Sequence, residues 1–180
     1  MSIFLSRLFR PLAIGAATAA LGLGGVQAME VPMNLHQVLL SALDDEYRAE
    51  ATYQAVIDKH GEVRPFINII QAEQRHSDMV AAELVRNGWE VPANPHLGKL
   101  EAPATVLEAC QLGEQAEVEN IALYDRLLPQ VDDPQSKAVL ERLQWASREN
   151  HLPAFQRCVA RGGMPGMDGG RGRGAGGGWR

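Results

Sequence analysis

A glutamate and a histidine three positions apart, Glu73 and His76, interrupt an otherwise apolar helical face. Residues that follow one another by steps of three or four share one side of a helix, so both side chains are predicted to point inward. Burying an isolated carboxylate is costly unless it is neutralised, paired or bound to a cation. Because both side chains can reach one ion, the pair indicates a metal site. The face consists of Phe66, Ile69, Glu73, His76, Val80 and Leu84.

The other predicted helices also carry an acidic residue or a histidine on their inward faces. Glu46 and His76 lie equally far from a turn near Gly61, so an antiparallel hairpin brings them to the same depth. A second hairpin, which turns near Val131, does the same for the inward positions of the last two helices. No residue is assigned a catalytic role. The predicted metal ligands are Glu46, Glu73, His76, Glu117 and His151, with Glu114 as either a further ligand or a surface residue.

The donor atoms of these residues are oxygen and imidazole nitrogen, a set that suits iron or manganese. The chain lacks the thiolate cluster of a structural zinc site, so we expect one or two ions of iron or manganese. An alternative interpretation needs no metal. If Arg148 points inward it could pair with Glu117 or Glu114, and the chain would be a metal-free helical interaction or scaffold module.

Four helices are predicted to position these residues, and no strand pattern is found. Thr105 and Glu108 have the spacing of a capping box, and Asp133 followed by Pro134 is typical of a helix start. Gly61 is expected to end the first helix. The predicted helices run from Asn34 to about Lys59, from Pro65 to Gly88, from Thr105 to about Leu128 and from Asp133 to Gly162.

The segment between the second and third helices, residues 89–104, contains Pro92, Pro95 and Pro103 and should be extended. At ~3.1 Å per residue it could cover the length of a helical bundle. This predicts a long crossover that leaves the second and third helices parallel, whereas the other two connections are short and predict antiparallel hairpins.

Residues 1–28 have the layout of a secretory signal peptide. Arg7 and Arg10 precede an apolar run, and Val26-Gln27-Ala28 gives a small-x-Ala cleavage pattern. The alternative is an uncleaved membrane anchor, for which the run is short and rich in glycine. Cleavage predicts a periplasmic or secreted protein with no membrane association. The helical domain would be residues 29–161, and the glycine- and arginine-rich tail, residues 162–180, is predicted to be disordered.

The charge of the chain bears on its partners. Removal of Arg7 and Arg10 with the leader takes the formal net charge from -5 to -7, which argues against nucleic-acid binding. Metal ions are the expected partners, and a homodimer remains open. In an exported protein, Cys110 and Cys158 favour a disulfide over two buried thiols, since antiparallel helices would bring them to the same end.

Several stretches resemble the ferritin-like superfamily, in particular an uncharacterised bacterial branch distantly similar to rubrerythrins. The resemblance covers most of the chain between Leu35 and Phe155. The matching stretches are Asp45-Glu46-Tyr47 with Ala49 and Tyr53, Pro65-Phe66 with Asn68-Ile69, Glu73-Gln74-Arg75-His76, Gly113 with Glu117, and Asn150-His151-Leu152 with Ala154-Phe155.

The resemblance implies a ferritin-like four-helix bundle with one long crossover, built around iron or manganese that often reacts with dioxygen or peroxide. In one place the chain departs from the pattern. Three residues before His151 the better-known members have a glutamate, and here stands Arg148. Glu149 cannot replace it because it lies on another side of the helix. A bridging carboxylate is then missing, so either Glu114 or Glu50 compensates or the site holds one ion.

Overall fold

The structure, a computed structural model, describes residues 32–164. This part of the chain consists of helices and loops without strands, which confirms the all-α prediction. Within it, no helix is both long enough and apolar enough to cross a membrane. The predicted leader, residues 1–28, lies outside the described residues, and so does the predicted tail from residue 165 onward.

The helices begin and end close to the positions expected from the sequence. Asn34 and Gln37 form a capping box at the start of the first helix, and Thr105 and Glu108 form one at the start of the third. Asp133 caps the fourth through its side chain. A short 3-10 turn, Leu128–Gln130, follows the third helix. The helices are α1 (Leu35–His60), α2 (Phe66–Arg86), α3 (Val106–Leu127), α4 (Pro134–Ala146) and α5 (Leu152–Ala160).

The last predicted helix is divided into α4 and α5 by a π-helical segment, Ser147–His151. Pro153 lies two residues beyond this segment and has no N–H to donate to the carbonyl group four residues before it. π-helical turns are rare and occur mostly as single turns inside α-helices, frequently at functional sites. The segment keeps both Ser147 and His151 buried.

Two apolar clusters fill the interior. If α4, the π-helical segment and α5 are taken as one rod, the bundle has four helical rods, and each of them contributes to both clusters. The first cluster includes Leu39, Leu43, Val80, Leu84, Tyr124, Leu127, Leu140 and Leu143. The second includes Tyr53, Val56, Phe66, Ile70, Ala109, Cys110, Phe155 and Cys158.

The order of these residues along the chain gives the direction of each helix. On α1 the first cluster precedes the second, whereas on α2 and on α3 the second precedes the first. From α4 to α5 the order is again first to second. On each rod, the residues between the two clusters form a middle layer.

The connection between α2 and α3 lies along α1. The side chain of Asn94 donates a hydrogen bond to the carbonyl oxygen of Tyr47 over 3.0 Å. Further on, Lys59 at the end of α1 donates to the carbonyl oxygen of Ala102 over 2.9 Å. The connection therefore follows α1 from its middle to its carboxyl end.

A disulfide joins Cys110 on α3 to Cys158 on α5, with 6.0 Å between the Cα atoms. Both residues are fully buried in the second cluster. The sequence favoured this bridge, and the structure contains it.

Candidate metal centre

The middle layer between the two clusters holds the polar residues that the sequence predicts as ligands. Five of the six are brought together, and all five are buried. The sixth, Glu114, is half-buried and belongs to neither of the groups described below. The five residues are Glu46 on α1, Glu73 and His76 on α2, Glu117 on α3 and His151 at the end of the π-helical segment.

Glu73 stands between two groups of potential ligands. One group is Glu46, Glu73 and His76, and the other is Glu73, Glu117 and His151. In each group, one donor atom from every residue lies within 4.8 Å of the others. Glu73 Oε2 lies 3.0 Å from Nδ1 of His76, and Glu73 Oε1 lies 3.0 Å from Nδ1 of His151. One carboxylate thus faces both groups, with a separate oxygen toward each.

The two remaining carboxylates complete the groups from α1 and α3. Glu46 Oε2 lies 3.2 Å from Nδ1 of His76, and Glu117 Oε2 lies 3.6 Å from Nδ1 of His151. The two imidazole rings stack at a centroid distance of 5.4 Å. Each group therefore contains two carboxylates and one imidazole, with Glu73 common to both.

Two tyrosines hold the outer oxygens of these carboxylates. Tyr124 on α3 donates to Glu46 Oε1 over 2.6 Å, and Tyr53 on α1 donates to Glu117 Oε1 over 2.7 Å. On each helix the tyrosine follows the glutamate by seven residues, about two helical turns. This Glu-x6-Tyr spacing is a signal, present in the sequence, for the reciprocal arrangement.

Sequence reasoning missed Asp45 and Asn120. Asn120 Nδ2 donates to Asp45 Oδ2 over 2.7 Å and approaches Glu46 Oε1 at 3.4 Å. Burial raises the pKa of Asp45, despite the hydrogen bond from Asn120 and the nearby Arg48 guanidinium, which lower it. Asn120 lies three residues after Glu117, on the same helix face, which could have identified it.

The buried face of α3 includes Gly113, Glu117 and Asn120. Glu114, which the sequence left as either a ligand or a surface residue, is only half-buried. The Phe155 ring lies so close to Gly113 that a Cβ atom at this position would be 2.5 Å from Cε1 of the ring.

The two imidazoles are strongly affected by the carboxylates. Burial lowers the pKa of His76, but the hydrogen bonds with Glu46 and Glu73 outweigh it and raise the pKa to about 9. Burial also lowers the pKa of His151, but Glu117 and Glu73 outweigh it and raise this pKa to about 10. Without a cation in the site, protonated imidazoles would therefore balance part of the carboxylate charge.

The carboxylates differ in their response. Burial raises the pKa of Glu46, and this outweighs the hydrogen bond with His76. Burial also raises the pKa of Glu73, but the imidazoles of His151 and His76, each 3.0 Å away, leave it lowered. Glu73, with an imidazole on either side, is the more readily ionised of the two.

The Nδ1 atom of His151 is buried and makes no hydrogen bond among the described residues. Two carboxylate oxygens lie within 3.6 Å of it, on Glu73 and Glu117, without forming a hydrogen bond of good geometry. A nitrogen lone pair that converges with carboxylate oxygens fits a metal ligand.

Arg148 does not point into the site. About half of its side chain is exposed, and its guanidinium lies 3.5 Å from Asp125. Arg148 therefore does not pair with Glu117 or Glu114, a contact that would have favoured the metal-free interpretation. The π-helical segment places the small side chain of Ser147 inward instead. Glu50 does not compensate either, because it bonds Gln74 over 3.3 Å outside both groups.

Two cavities reach the middle layer from different sides. The carboxylate cavity, of about 280 Å³, lies between α1 and α3, and its walls include Asp45, Glu73, Glu117 and Asn120. The arginine groove, of about 440 Å³, lies between α2 and the α4–α5 rod. The groove is lined by Asn68, Ile69, Ala72, Arg75, His76, Met79, Arg142, Trp145, Ala146, Asn150 and His151.

Comparisons with known proteins give a fold neighbour. No protein-family model and no curated protein matches the chain. The chain is similar to the crystal structure of a hypothetical protein from Methanococcus jannaschii DSM 2661, with a TM-score of 0.65. The two are 22% identical, and the match covers 77% of this chain and 87% of the other. At this identity the likeness concerns the fold alone.

Proposed function

We propose that this protein is a ferritin-like metal-binding protein whose middle layer holds two ions of iron or manganese. The observation that carries the proposal is the position of Glu73, which offers one carboxylate oxygen to each of two buried ligand groups. In carboxylate-bridged bundles two helices each supply a Glu and the other two each supply a Glu-x-x-His motif. This chain has that set apart from the glutamate of the second motif, whose place Arg148 takes.

The charge of the layer supports a bound cation. Three carboxylates, from Glu46, Glu73 and Glu117, converge in the interior, and their ion pairs within the described part of the chain are with His76 and His151. Those imidazoles are also the nitrogen donors that a metal would use. Shared metal ions would relieve the burial cost of all three carboxylates together.

The order of the helices supports a ferritin-like bundle. The order of the clusters along the chain makes α2 and α3 parallel to each other and antiparallel to α1. Two consecutive parallel helices need a connection that returns along the bundle, and the segment bonded to Tyr47 and Lys59 runs in that direction. Ferritin-like folds have one such crossover.

Iron or manganese held in this layer would supply redox chemistry toward dioxygen or peroxide. The chain's own residues would hold the charge and orientation of the centre. Tyr53 and Tyr124 keep Glu117 and Glu46 turned toward the imidazoles, and the apolar clusters exclude water from two sides. The carboxylate cavity gives a small molecule a path to Glu73.

We further propose that the protein is exported. The layout of residues 1–28 suggests this, and the Cys110–Cys158 disulfide supports it because such bonds persist in oxidising compartments. Extraction of the periplasm and the culture medium, with mass determination of the mature amino terminus, tests the proposal. A chain that retains residues 1–28 in the cytoplasm would contradict it.

Metal analysis of the purified mature protein tests the central proposal. We expect two equivalents of iron or manganese per chain, with loss of both in Glu73→Gln. Glu114→Gln is a matched control, since Glu114 lies one helical turn from Glu117 but outside both groups. Protein that folds normally but takes up no iron or manganese would refute the proposal, as would equal loss in the two variants.

A further inference from the structure

The arginine groove differs in charge from the carboxylate cavity on the other side of the same layer. The walls of the cavity include four acidic residues, among them Asp45 and Glu119, against one arginine. The walls of the groove contain Arg75 and Arg142 and no acidic residue. In a chain with net negative charge, a groove of this composition favours anions.

The two arginines of the groove have free guanidinium groups. Arg75 and Arg142 make no hydrogen bond or ion pair with any other residue in the range 32–164. Both are exposed, and they lie on different helices, α2 and α4. They could therefore bind a carboxylate from both sides without first breaking a protein contact.

The inner wall of the groove offers two further polar atoms, the Nε2 atoms of two histidines. His76 and His151 direct Nδ1 toward the glutamates, and their Nε2 atoms have no hydrogen-bond partner among the described residues. Neither Nε2 atom is closed off from solvent, since neither is among the buried unpaired atoms. A metal-ligating histidine almost always donates its other N–H to a carboxylate, a carbonyl or water. Here that place is open to a molecule in the groove.

The rest of the wall is largely apolar. Ile69, Ala72, Met79 and Ala146 contribute hydrocarbon surface, and Trp145 is 59% exposed at the same wall. A large exposed indole beside arginine side chains suits an apolar or aromatic body that carries a negative group. An inorganic oxyanion would leave this apolar surface unused.

We propose that the arginine groove binds a small organic carboxylate with an apolar body. Its carboxylate accepts hydrogen bonds from Arg75 and Arg142, while its body packs against Trp145 and Met79. The proposal does not require the metal, because both arginines are present without it. If the middle layer does hold metal, the carboxylate would orient both imidazoles and strengthen metal binding, and bound metal would strengthen carboxylate binding equally.

Benzoate, a carboxylate with an apolar ring, is a suitable probe for the metal-free, folded protein. The readout is the indole N–H resonance of Trp145, identified with Trp145→Phe, during titration with benzoate. Benzamide has the same shape without the charge, and acetate has the charge without the ring. We expect saturable shifts at Trp145 with benzoate and binding at least about tenfold weaker for either analogue.

Paired variants show whether the groove carries the binding. Arg75→Gln combined with Arg142→Gln should weaken benzoate binding by at least about tenfold, since each removes a charge-assisted hydrogen bond. Arg157→Gln, at an exposed position on α5 outside the groove, should leave it unchanged. Equal binding of benzamide, an unshifted Trp145, or an unaffected double variant would each overturn the proposal. Since the titration uses metal-free protein, a failure of the metal proposal would not alter its result.

Discussion

Glu73 Oε1 lies 3.0 Å from Nδ1 of His151, although Glu73 belongs to α2 and His151 to the π-helical segment between α4 and α5. The other oxygen of Glu73 faces His76 at the same distance. Glu73 is thus common to both ligand groups, whereas Glu117 belongs to one. This asymmetry leads to different expectations for their variants.

Glu117→Gln should lower the metal stoichiometry from two ions to about one, while Glu73→Gln should weaken both sites. Each affected site should lose at least ~10-fold in affinity, the effect that even an outer partner of a ligand produces. Titration of the metal-free protein with Mn²⁺, followed by electron paramagnetic resonance of the free ion, measures both. Equal stoichiometry in the two variants would contradict a bridging role for Glu73.

The two tyrosine hydroxyls should differ in their importance. Tyr53→Phe leaves Glu117 Oε1 without its phenol donor, whereas after Tyr124→Phe the Oε1 atom of Glu46 still has Asn120 at 3.4 Å. An unpaired buried acceptor costs about 1–3 kcal/mol. Urea unfolding of the metal-free variants should show the larger loss of stability for Tyr53→Phe. A larger loss for Tyr124→Phe would contradict the expectation.

The pH dependence of stability should reverse when metal is bound. In the metal-free protein, the pKa values of His76 and His151 are raised from 6.5 to about 9 and about 10. The stability that their protonated forms contribute is complete below pH 6.5 and is lost as the pH rises through 9 to 10. The free energy of unfolding of the metal-free protein should therefore fall over this range.

A metal displaces those protons, so metal affinity should increase with pH until the imidazoles are neutral. Urea unfolding at pH 7, 8, 9 and 10, with and without added Mn²⁺, measures both trends. The metal-free trend should disappear when His76 and His151 are both replaced by glutamine. A trend that survives this double replacement would show that other groups cause it.

Much of the fold could be predicted because the signals are local. Capping residues such as Asn34 and Thr105, together with proline and glycine between the helices, define the ends of the helices. All six residues predicted on the inward face of α2 are buried, because its apolar residues follow one another at helical spacing and leave Glu73 and His76 no other direction. The prediction omitted Ile70, Ser77 and Glu83, which are also buried.

The candidate site was predicted less completely, since some of its contacts depend on packing between helices. The orientation of α3, which buries Gly113 and Asn120, follows from the close approach of Phe155 to Gly113. No sequence pattern within α3 reveals this contact. The outward direction of Arg148 depends on the π-helical segment. Pro153 indicated a disturbance there but not its form.

The disulfide should contribute substantially to stability. Cys110 and Cys158 are separated by 48 residues, and closing a loop of this length stabilises the fold by about 4 kcal/mol in the chain-entropy model. Replacement of both by serine should lower the free energy of unfolding by about 2–4 kcal/mol. Urea unfolding of this variant and of the reduced wild-type protein measures the effect. A change below about 1 kcal/mol in both proteins, roughly a quarter of the expected value, would contradict it.

Gly113 on α3 should not tolerate a larger side chain. A Cβ atom at this position would lie 2.5 Å from Cε1 of Phe155, whose fully buried ring is itself packed between Tyr53 and Phe66 at 5.3 Å from each. Because the ring has no free space to move into, Gly113→Ala should cost about 1–3 kcal/mol of stability. That loss is expected despite the better helix propensity of alanine, which alone would add up to ~1 kcal/mol.

A second variant separates this steric effect from a general change in α3. Phe155→Leu removes the ring edge that the new methyl group would meet, so adding Gly113→Ala to it should cost much less than in the wild type. Thermal unfolding of the four proteins gives the coupling energy between the two positions, which should be about 0.5–3 kcal/mol for residues in contact. Independent effects would mean that Phe155 does not confine Gly113. In that case another contact would have to explain the orientation of α3 that turns Asn120 toward Glu46.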